Sequence, residues 1–184
     1  MYQFENDIVE ILADREKIEE ICDRLAKEVT AVYENSGRRL VLVLVLKGSI
    51  CFAADLMRRI PLLCELDCMK VSSYGSGTVS TKNLQMHLDL RCDIEGADVL
   101  LLEDIVDSGR TLQALTGLLK HRGANSVRCC TFLDKPARRQ VDFQADFVGM
   151  EIPDAFVVGY GLDYDEKYRN LPYVGILKPA VYEK

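Results

Sequence analysis

The sequence predicts an α/β fold, in which a mainly parallel β-sheet is flanked by helices on both faces. Two observations support this prediction. Segments with apolar residues spaced three and four apart alternate with short apolar runs, which is typical of alternating helices and strands. Two of those runs, residues 40–46 and 99–102, are apolar at every position, as expected of central parallel strands buried on both faces.

The first predicted helix covers residues 14–33, where the apolar residues form one stripe. A polar segment, residues 35–37, ends this helix. Strand 40–46 follows, and a second helical stripe over residues 52–60 ends before Pro61. The apolar residues of the first stripe are Ile18, Ile21, Cys22, Leu25, Val29 and Val32.

The second half of the chain continues the alternation. Residues 72–83 are rich in Ser, Gly and Thr, which predicts a mobile loop. A third helical stripe covers residues 112–119 and is closed by Gly123. The other predicted strands of the sheet are residues 62–71, 84–90, 99–102, 127–133 and 156–158.

Length and composition favour one domain covering residues 1–184. The 7 cysteines are odd in number, and most lie in apolar stretches without CxxC spacing. This pattern is typical of reduced core thiols rather than of disulfides or a zinc site. The net charge of −6 and the isoelectric point near 5.0 oppose a broad nucleic-acid surface.

The hydropathy pattern predicts no membrane partner. The longest apolar run, residues 40–46, is too short to cross a bilayer. The first ten residues include Glu5, Asp7 and Glu10, which does not match a secretory signal. We therefore expect a cytoplasmic protein.

The segment over residues 99–112 predicts a phosphate site. Its strand leads into Glu103 and Asp104, and a turn rich in hydroxyl groups then leads into a helix. Free amides at the start of the helix, the hydroxyls of Ser108 and Thr111, and the close approach permitted by Gly109 can together hold a phosphate monoester. The adjacent carboxylates would repel each other unless they met a cation or hydroxyl donors, and a ribose diol with Mg²⁺ supplies both.

This segment resembles the 5-phosphoribosyl diphosphate signature of the type I phosphoribosyltransferases. The resemblance implies that fold, with a small hood element from the chain ends, and Mg²⁺ as cofactor. It also implies that Glu103 and Asp104 hold the ribose hydroxyls, directly or through magnesium. The residues implied to bind the ribose and the 5′-phosphate are Glu103, Asp104, Ile105, Asp107, Ser108, Gly109, Arg110 and Thr111. Two other phosphate-binding motifs are absent, because the sequence has no GxxxxGK[ST] and residues 75–80 lack the third glycine of GxGxxG.

Three more segments resemble the hypoxanthine–guanine branch of that family. They are residues 46–49, the diphosphate loop; residues 72–77, the mobile catalytic loop; and residues 146–171. The implied diphosphate ligands are Lys47, Gly48 and Arg169. The implied purine ligands are Lys135, Phe156, Val157 and Asp163, and Asp163 is also an implied magnesium ligand beside Glu103 and Asp104. Residues 81–83 depart from the small or glycine-containing end expected of the mobile loop, and Lys82 there is expected to alter its kinetics.

The chemistry of the residues agrees with these roles. Phe156 can stack on a planar base, and the backbone of Val157 can bind the edge of that base. Lys135 can donate to an oxygen at C6 of the purine. The resemblance implies transfer of the phosphoribosyl group to hypoxanthine or guanine, and Asp107 is the candidate general base. The loop that contains Ser73 and Tyr74 would close and exclude water.

Two other functions stay open. A regulator that senses the sugar diphosphate and binds nucleic acid would need a basic face, but the arginine pairs are scattered. A pyrimidine phosphoribosyltransferase is disfavoured by Lys135 and by the segment at Phe156 and Val157. Hypoxanthine, guanine and xanthine all stay open as substrates. The resemblance also suggests a homodimer or homotetramer.

Overall fold

A computed structural model describes residues 4–73 and 84–183, which form two β-sheets and four helices. The first half contains β1 (Ile8–Ala13), α1 (Arg15–Tyr33), β2 (Leu40–Val45), α2 (Ile50–Met57), β3 (Cys64–Ser73) and β4 (Leu84–Leu88). The second half contains β5 (Asp98–Val106), α3 (Arg110–His121), β6 (Ser126–Asp134), β7 (Phe147–Glu151), β8 (Val157–Val158), β9 (Val174–Leu177) and α4 (Pro179–Tyr182).

The larger sheet has six strands in the order β4-β3-β2-β5-β6-β7. All its neighbouring strands are parallel except the edge strand β4, which runs antiparallel to β3. The predicted parallel sheet is confirmed. Every residue of β2 is buried, because its alternate side chains enter two different cores. Leu42 packs on the face that carries α1 and α2, whereas Val43 packs on the face that carries α3.

The helices form where the apolar stripes predicted them. The carboxylate of Asp14 accepts a hydrogen bond of 2.9 Å from the Lys17 amide and so caps the start of α1. The buried stripe of α1 packs against α2 and β7. Complete burial of one of its leucines, Leu25, stabilises the fold by about 1.5–3 kcal/mol.

The smaller sheet is a hood of three antiparallel strands in the order β1-β9-β8. It joins the two ends of the chain, as the resemblance implied. The prediction that residues 156–158 complete the main sheet is wrong, because Val157 pairs with Ile176 in the hood. The strand that completes the main sheet is β7, which pairs with β6.

The position of the acidic pair within its strand differs from the sequence prediction. Glu103 and Asp104 lie inside β5, which continues to Val106, rather than at the end of the strand. Ser73 ends β3, whereas Tyr74 and Lys82 lie outside the described residues.

All seven cysteines are unpaired thiols. In the described part of the chain, no helix is both long and apolar enough to cross a bilayer.

Candidate active site

The turn between β5 and α3 forms a cradle at the carboxyl end of the sheet. Gly109 precedes α3 with a φ of 79°, a conformation that favours glycine, and offers no side chain to cap the helix. The first amide of α3, that of Arg110, makes a long hydrogen bond of 3.4 Å to the Ser108 hydroxyl, and the start of the helix lines a cleft of about 420 Å³. Ile105, Ser108 and Thr111 are among the residues that line it. This is the local geometry that binds phosphate at a helix start.

Asp107 lies at the rim of the same cleft, and about half of its side chain is exposed. Its carboxylate is 3.7 Å from Nε of Arg138. Its backbone carbonyl accepts a 2.6 Å hydrogen bond from Arg139, whose other terminal nitrogen pairs with Asp134. Asp107 thus lines the cleft while Arg139 holds its backbone.

Glu103 and Asp104 form a partly buried acidic pair, in which Oε2 of Glu103 is itself buried. Burial raises the pKa of the Glu103 carboxyl well above its usual range, and the negative charge of Asp104 adds to the rise. Burial also raises the pKa of Asp104, although hydrogen bonds and the positive charge of Arg169 oppose this. No described residue gives a hydrogen bond to Oε2 of Glu103. A buried oxygen of this kind favours a cation or a hydroxyl donor.

The loop after β2 lies directly against Asp104. A Cβ atom added to Gly48 would stand 1.4 Å from Oδ2 of Asp104, so only glycine allows this approach. The hydroxyl of Ser49 is buried and donates a 2.6 Å hydrogen bond to the Val45 carbonyl, which fixes the start of α2. The Leu46–Lys47 peptide bond is cis.

Arg169 and Lys47 approach the site from different loops. Arg169 donates to the Gly161 carbonyl at 2.7 Å and pairs with Asp163 at 2.8 Å. The Lys47 ammonium lies 2.8 Å from Glu166, whose same oxygen is 3.3 Å from Arg169. The two cations therefore converge on one point, although they are far apart in the sequence.

Lys135 and Phe156 lie next to each other. Lys135 is buried, and its ammonium donates a 2.8 Å hydrogen bond to the carbonyl of Ala155, the residue before Phe156. Its backbone amide donates to the Val106 carbonyl, which keeps it close to the phosphate cradle. The ring of Phe156 is 38% exposed, so it is not an ordinary core residue. Tyr182 stacks on this ring with a centroid distance of 4.9 Å.

The backbone of Val157 lies on the open edge of the hood, because β8 is an edge strand. The carbonyl of Phe156 accepts a 2.8 Å hydrogen bond from the Leu177 amide. Backbone groups alternate in direction along an antiparallel strand, so the N–H and C=O of Val157 point away from β9. Both groups are thus directed to the side from which a ligand can bind.

The sequence profile of the phosphoribosyl transferase domain family matches residues 9–165. A hypoxanthine-guanine phosphoribosyltransferase from Bacillus subtilis (strain 168) is 49% identical over 178 residues, which is 97% of this chain and 98% of that protein. This chain belongs to the hypoxanthine-guanine phosphoribosyltransferase family. The bifunctional protein TilS/HprT of Listeria innocua is 52% identical over 179 residues, and the matched region spans 27% of its length.

Solved structures agree with this assignment. A hypoxanthine phosphoribosyltransferase from Staphylococcus aureus superposes with a TM-score of 0.93 at 49% identity, covering 100% of this chain and 98% of that one. An enzyme of the same name from Trypanosoma cruzi gives 0.91 at 40% identity, covering 99% and 96%. It was solved in work on the role of its C-terminal region in oligomeric state and activity. The predicted family, enzyme class and type I fold are confirmed.

The phosphoribosyltransferase site contains suitable donors for magnesium. No group of three or more possible metal ligands occurs among the residues that the structure describes. Mg²⁺ is usually held by one or two carboxylates together with substrate and water oxygens, and the unpartnered oxygen of Glu103 beside Asp104 fits that pattern. Asp163 instead pairs with Arg169 and accepts a hydrogen bond from the Glu166 amide.

Three residues that contact the candidate site were not predicted from the sequence. Arg139 belongs to one of the scattered arginine pairs, yet it holds the backbone of Asp107. Glu166 lies between Asp165 and Lys167 in a charged turn, yet its carboxylate joins Lys47 and Arg169. Tyr182 gave no signal at all, because its contact with Phe156 depends on the pairing of β8 with β9. Only the position of Arg139 soon after a strand end could have suggested its role.

Proposed function

We propose that this chain transfers the 5-phosphoribosyl group of 5-phosphoribosyl 1-diphosphate to hypoxanthine and guanine, releasing diphosphate and forming IMP and GMP. The observation that carries the proposal is the contact between the buried Lys135 ammonium and the Ala155 carbonyl, beside the exposed ring of Phe156. A cationic donor next to a stacking surface matches a flat base with an oxygen at C6. The names of the B. subtilis and S. aureus relatives support the same substrates.

The sugar substrate would extend from the phosphate cradle to the acidic pair. The first amides of α3, with Ser108 and Thr111, would hold the 5′-phosphate. Glu103 and Asp104 would accept hydrogen bonds from the ribose hydroxyls, a role suited to the unpartnered oxygen of Glu103. Lys47 would then face the diphosphate group, because Gly48 lies against Asp104.

In the reaction, N9 of the purine forms a bond to C1 of the ribose as the bond from C1 to the diphosphate oxygen breaks. Asp107 accepts the proton that the purine loses, since it lines the cleft. Lys47 and Arg169 stabilise the negative charge on the leaving group. Mg²⁺ held near Glu103 and Asp104 would supply further positive charge for the leaving group.

The pairing of the surface arginines opposes the alternative of a nucleic-acid-binding regulator. Arg39 pairs with Glu65 at 3.3 Å, and Arg59 pairs with Asp23 at 2.7 Å. Positive charges neutralised in this way do not form a basic face. The proposed partners are the two small-molecule substrates and further copies of the chain, in a homodimer or homotetramer. Light scattering after size-exclusion chromatography measures that oligomeric state.

A substrate comparison tests the proposal. The purified protein is assayed with 5-phosphoribosyl 1-diphosphate, Mg²⁺ and, in separate reactions, hypoxanthine, guanine, xanthine, uracil and adenine. We expect turnover of hypoxanthine and guanine, loss of activity with a chelator, and none with uracil. Turnover of uracil alone would show that the purine assignment is wrong. A shift of labelled RNA or DNA that depends on the sugar diphosphate would instead favour the regulator.

A further inference from the structure

The carboxylate of Glu166 occupies a position between two cations. One of its oxygens, Oε2, lies 2.8 Å from the Lys47 ammonium and 3.3 Å from the Arg169 guanidinium. A single anionic oxygen that bridges an ammonium and a guanidinium is also the arrangement that a phosphoryl oxygen adopts in a protein site. Glu166 thus takes the place that an anionic ligand of these two residues would occupy.

Asp165 and Glu166 form a tight turn that is closed by two backbone hydrogen bonds between Tyr164 and Lys167, of 3.2 and 3.0 Å. Asp165, Glu166 and Tyr168 have φ values of 51°, 61° and 73°, a left-handed conformation that is unfavourable for residues with a Cβ atom. The Glu166 amide donates a 2.9 Å hydrogen bond to Asp163, which stabilises the turn. Strained conformations of this kind persist where the surrounding structure fixes them, and they concentrate at functional sites.

The contacts of Glu166 suit a group that leaves its position reversibly. Its side chain is 66% exposed, whereas that of Arg169 is only 25% exposed. The carboxylate can therefore move into solvent without disturbing the core. Arg169 would remain in place, because it also donates to the Gly161 carbonyl and pairs with Asp163. Lys47 and Arg169 both lower the pKa of Glu166, so its carboxylate is charged at neutral pH.

We propose that Glu166 is an internal competitor of diphosphate. Its carboxylate holds Lys47 and Arg169 together in the empty site and is displaced into solvent when the diphosphate end of the sugar substrate binds. Because the same contacts must break for the substrate and for the released diphosphate, Glu166 weakens the binding of both and promotes product release. This inference rests on the proposed role of Lys47 and Arg169 as diphosphate ligands.

Substitution of Glu166 by glutamine, with a matched control, tests the proposal. Glu166→Gln removes one negative charge and both ion pairs. Asp165→Asn removes one negative charge from the same turn, at a side chain that is 72% exposed and pairs with Lys167 at 2.9 Å. Differences between these two variants therefore report the contacts of Glu166 rather than the net charge of the loop.

The binding of inorganic diphosphate in MgCl₂ is measured by titration calorimetry for the parent and both variants. We expect Glu166→Gln to lower Kd by about two- to tenfold relative to Asp165→Asn, the range for loss of two exposed ion pairs. The KM for the sugar diphosphate should fall by a similar factor, and the KM for the purine should stay unchanged. The difference in Kd should become small near 1 M salt, where the screening length is about 3 Å.

Equal Kd values for the two variants would overturn the proposal. Weaker binding by Glu166→Gln than by the parent would also overturn it, because Glu166 would then organise the cations for the ligand. A Lys47→Met variant tests the proposed diphosphate site separately from the proposed role of Glu166. Unchanged diphosphate binding in Lys47→Met would show that the diphosphate site itself is misplaced. Weakened binding there, with no effect of Glu166→Gln, would reject only the role of Glu166.

Discussion

The close approach of Gly48 to Asp104 gives a sharp prediction for the substitution Gly48→Ala. The added Cβ atom would stand 1.4 Å from Oδ2 and 2.6 Å from Cγ of Asp104. Nonbonded heavy atoms normally stay about 3.5 Å apart, so the carboxylate or the loop must move by roughly 2 Å. Either movement separates the proposed diphosphate loop from the proposed ribose ligand.

The expected loss follows from that displacement. A shift of about 1 Å in a positioned group can lower the rate by on the order of 10²-fold, so kcat/KM for the sugar diphosphate should fall at least that far. A hundredfold loss corresponds to about 2.7 kcal/mol of transition-state stabilisation. Steady-state rates at varied sugar diphosphate measure it, and a thermal melt shows whether the variant remains folded.

Gly117→Ala is the matched control, because it is the same substitution inside α3 and its Cβ atom would have no neighbour within 4 Å. Alanine is more favourable than glycine in a helix by about 0.5–1 kcal/mol, so this control should melt at the same temperature or slightly higher. Its kinetic constants should match those of the parent. If Gly48→Ala kept both kinetic constants within twofold of the parent, the argument from close approach would be refuted.

Four other substitutions give separate tests. Asp107→Ala should lower kcat by about 10²–10⁴-fold at saturating substrates, and a change below twofold would remove Asp107 as the general base. Lys135→Met should reduce the preference for hypoxanthine over adenine in a competition assay, whereas an unaltered preference would require another donor. Tyr182→Leu should raise the KM for the purine by about two- to tenfold through loss of support for the stacking ring, with the KM for the sugar diphosphate as the internal control. Asp89 pairs with Arg122, and this ion pair holds the pKa of the Asp89 carboxyl below its usual range. The ion pair therefore stabilises the fold above about pH 3.9, and this stabilisation is lost as the pH falls further. Asp89→Asn should therefore lower the unfolding free energy by about 0.5–1 kcal/mol at pH 7 and by progressively less as the pH is lowered below about 3.9 in urea titrations, and a loss that does not change with pH would contradict the assignment.

The main sheet was predictable because its signals are local. Residues 40–45 are apolar at every position, and only a strand covered on both faces can bury such a run. The turn at residues 107–111 was predictable for the same reason, since its hydroxyls and Gly109 precede an apolar helical stripe. The geometry of this turn depends on few long-range contacts, so a short sequence motif was sufficient to locate it.

The hood was less predictable because its strands are short and pair across the whole chain. Ile8 pairs with Leu177, and no local pattern indicates that partner. The two residues of β8 are apolar, so they were placed in the main sheet by mistake. Their pairing with β9 also determines that Tyr182 covers Phe156, which explains why that contact could not be read from the sequence.

The role of Glu166 was hidden for a different reason. Its neighbours in the sequence include Asp165 and Lys167, which indicate an ordinary solvated turn. The side chain reaches Lys47 only because the backbone adopts a left-handed conformation at residues that rarely do so. Composition and periodicity carry no information about such a conformation.

The pairing of β1 with β9 has a consequence for synthesis on the ribosome. Residues 8–13 emerge early but have no partner until residues 174–177 leave the exit tunnel. The strands of the main sheet and the turn between β5 and α3 all precede β8, so they can begin to assemble on the nascent chain before Tyr160 and Val174 complete the core. The proposed purine half of the site is completed last, and a ribosome-stalled chain ending before β9 should present a formed β5–α3 turn beneath an unformed hood.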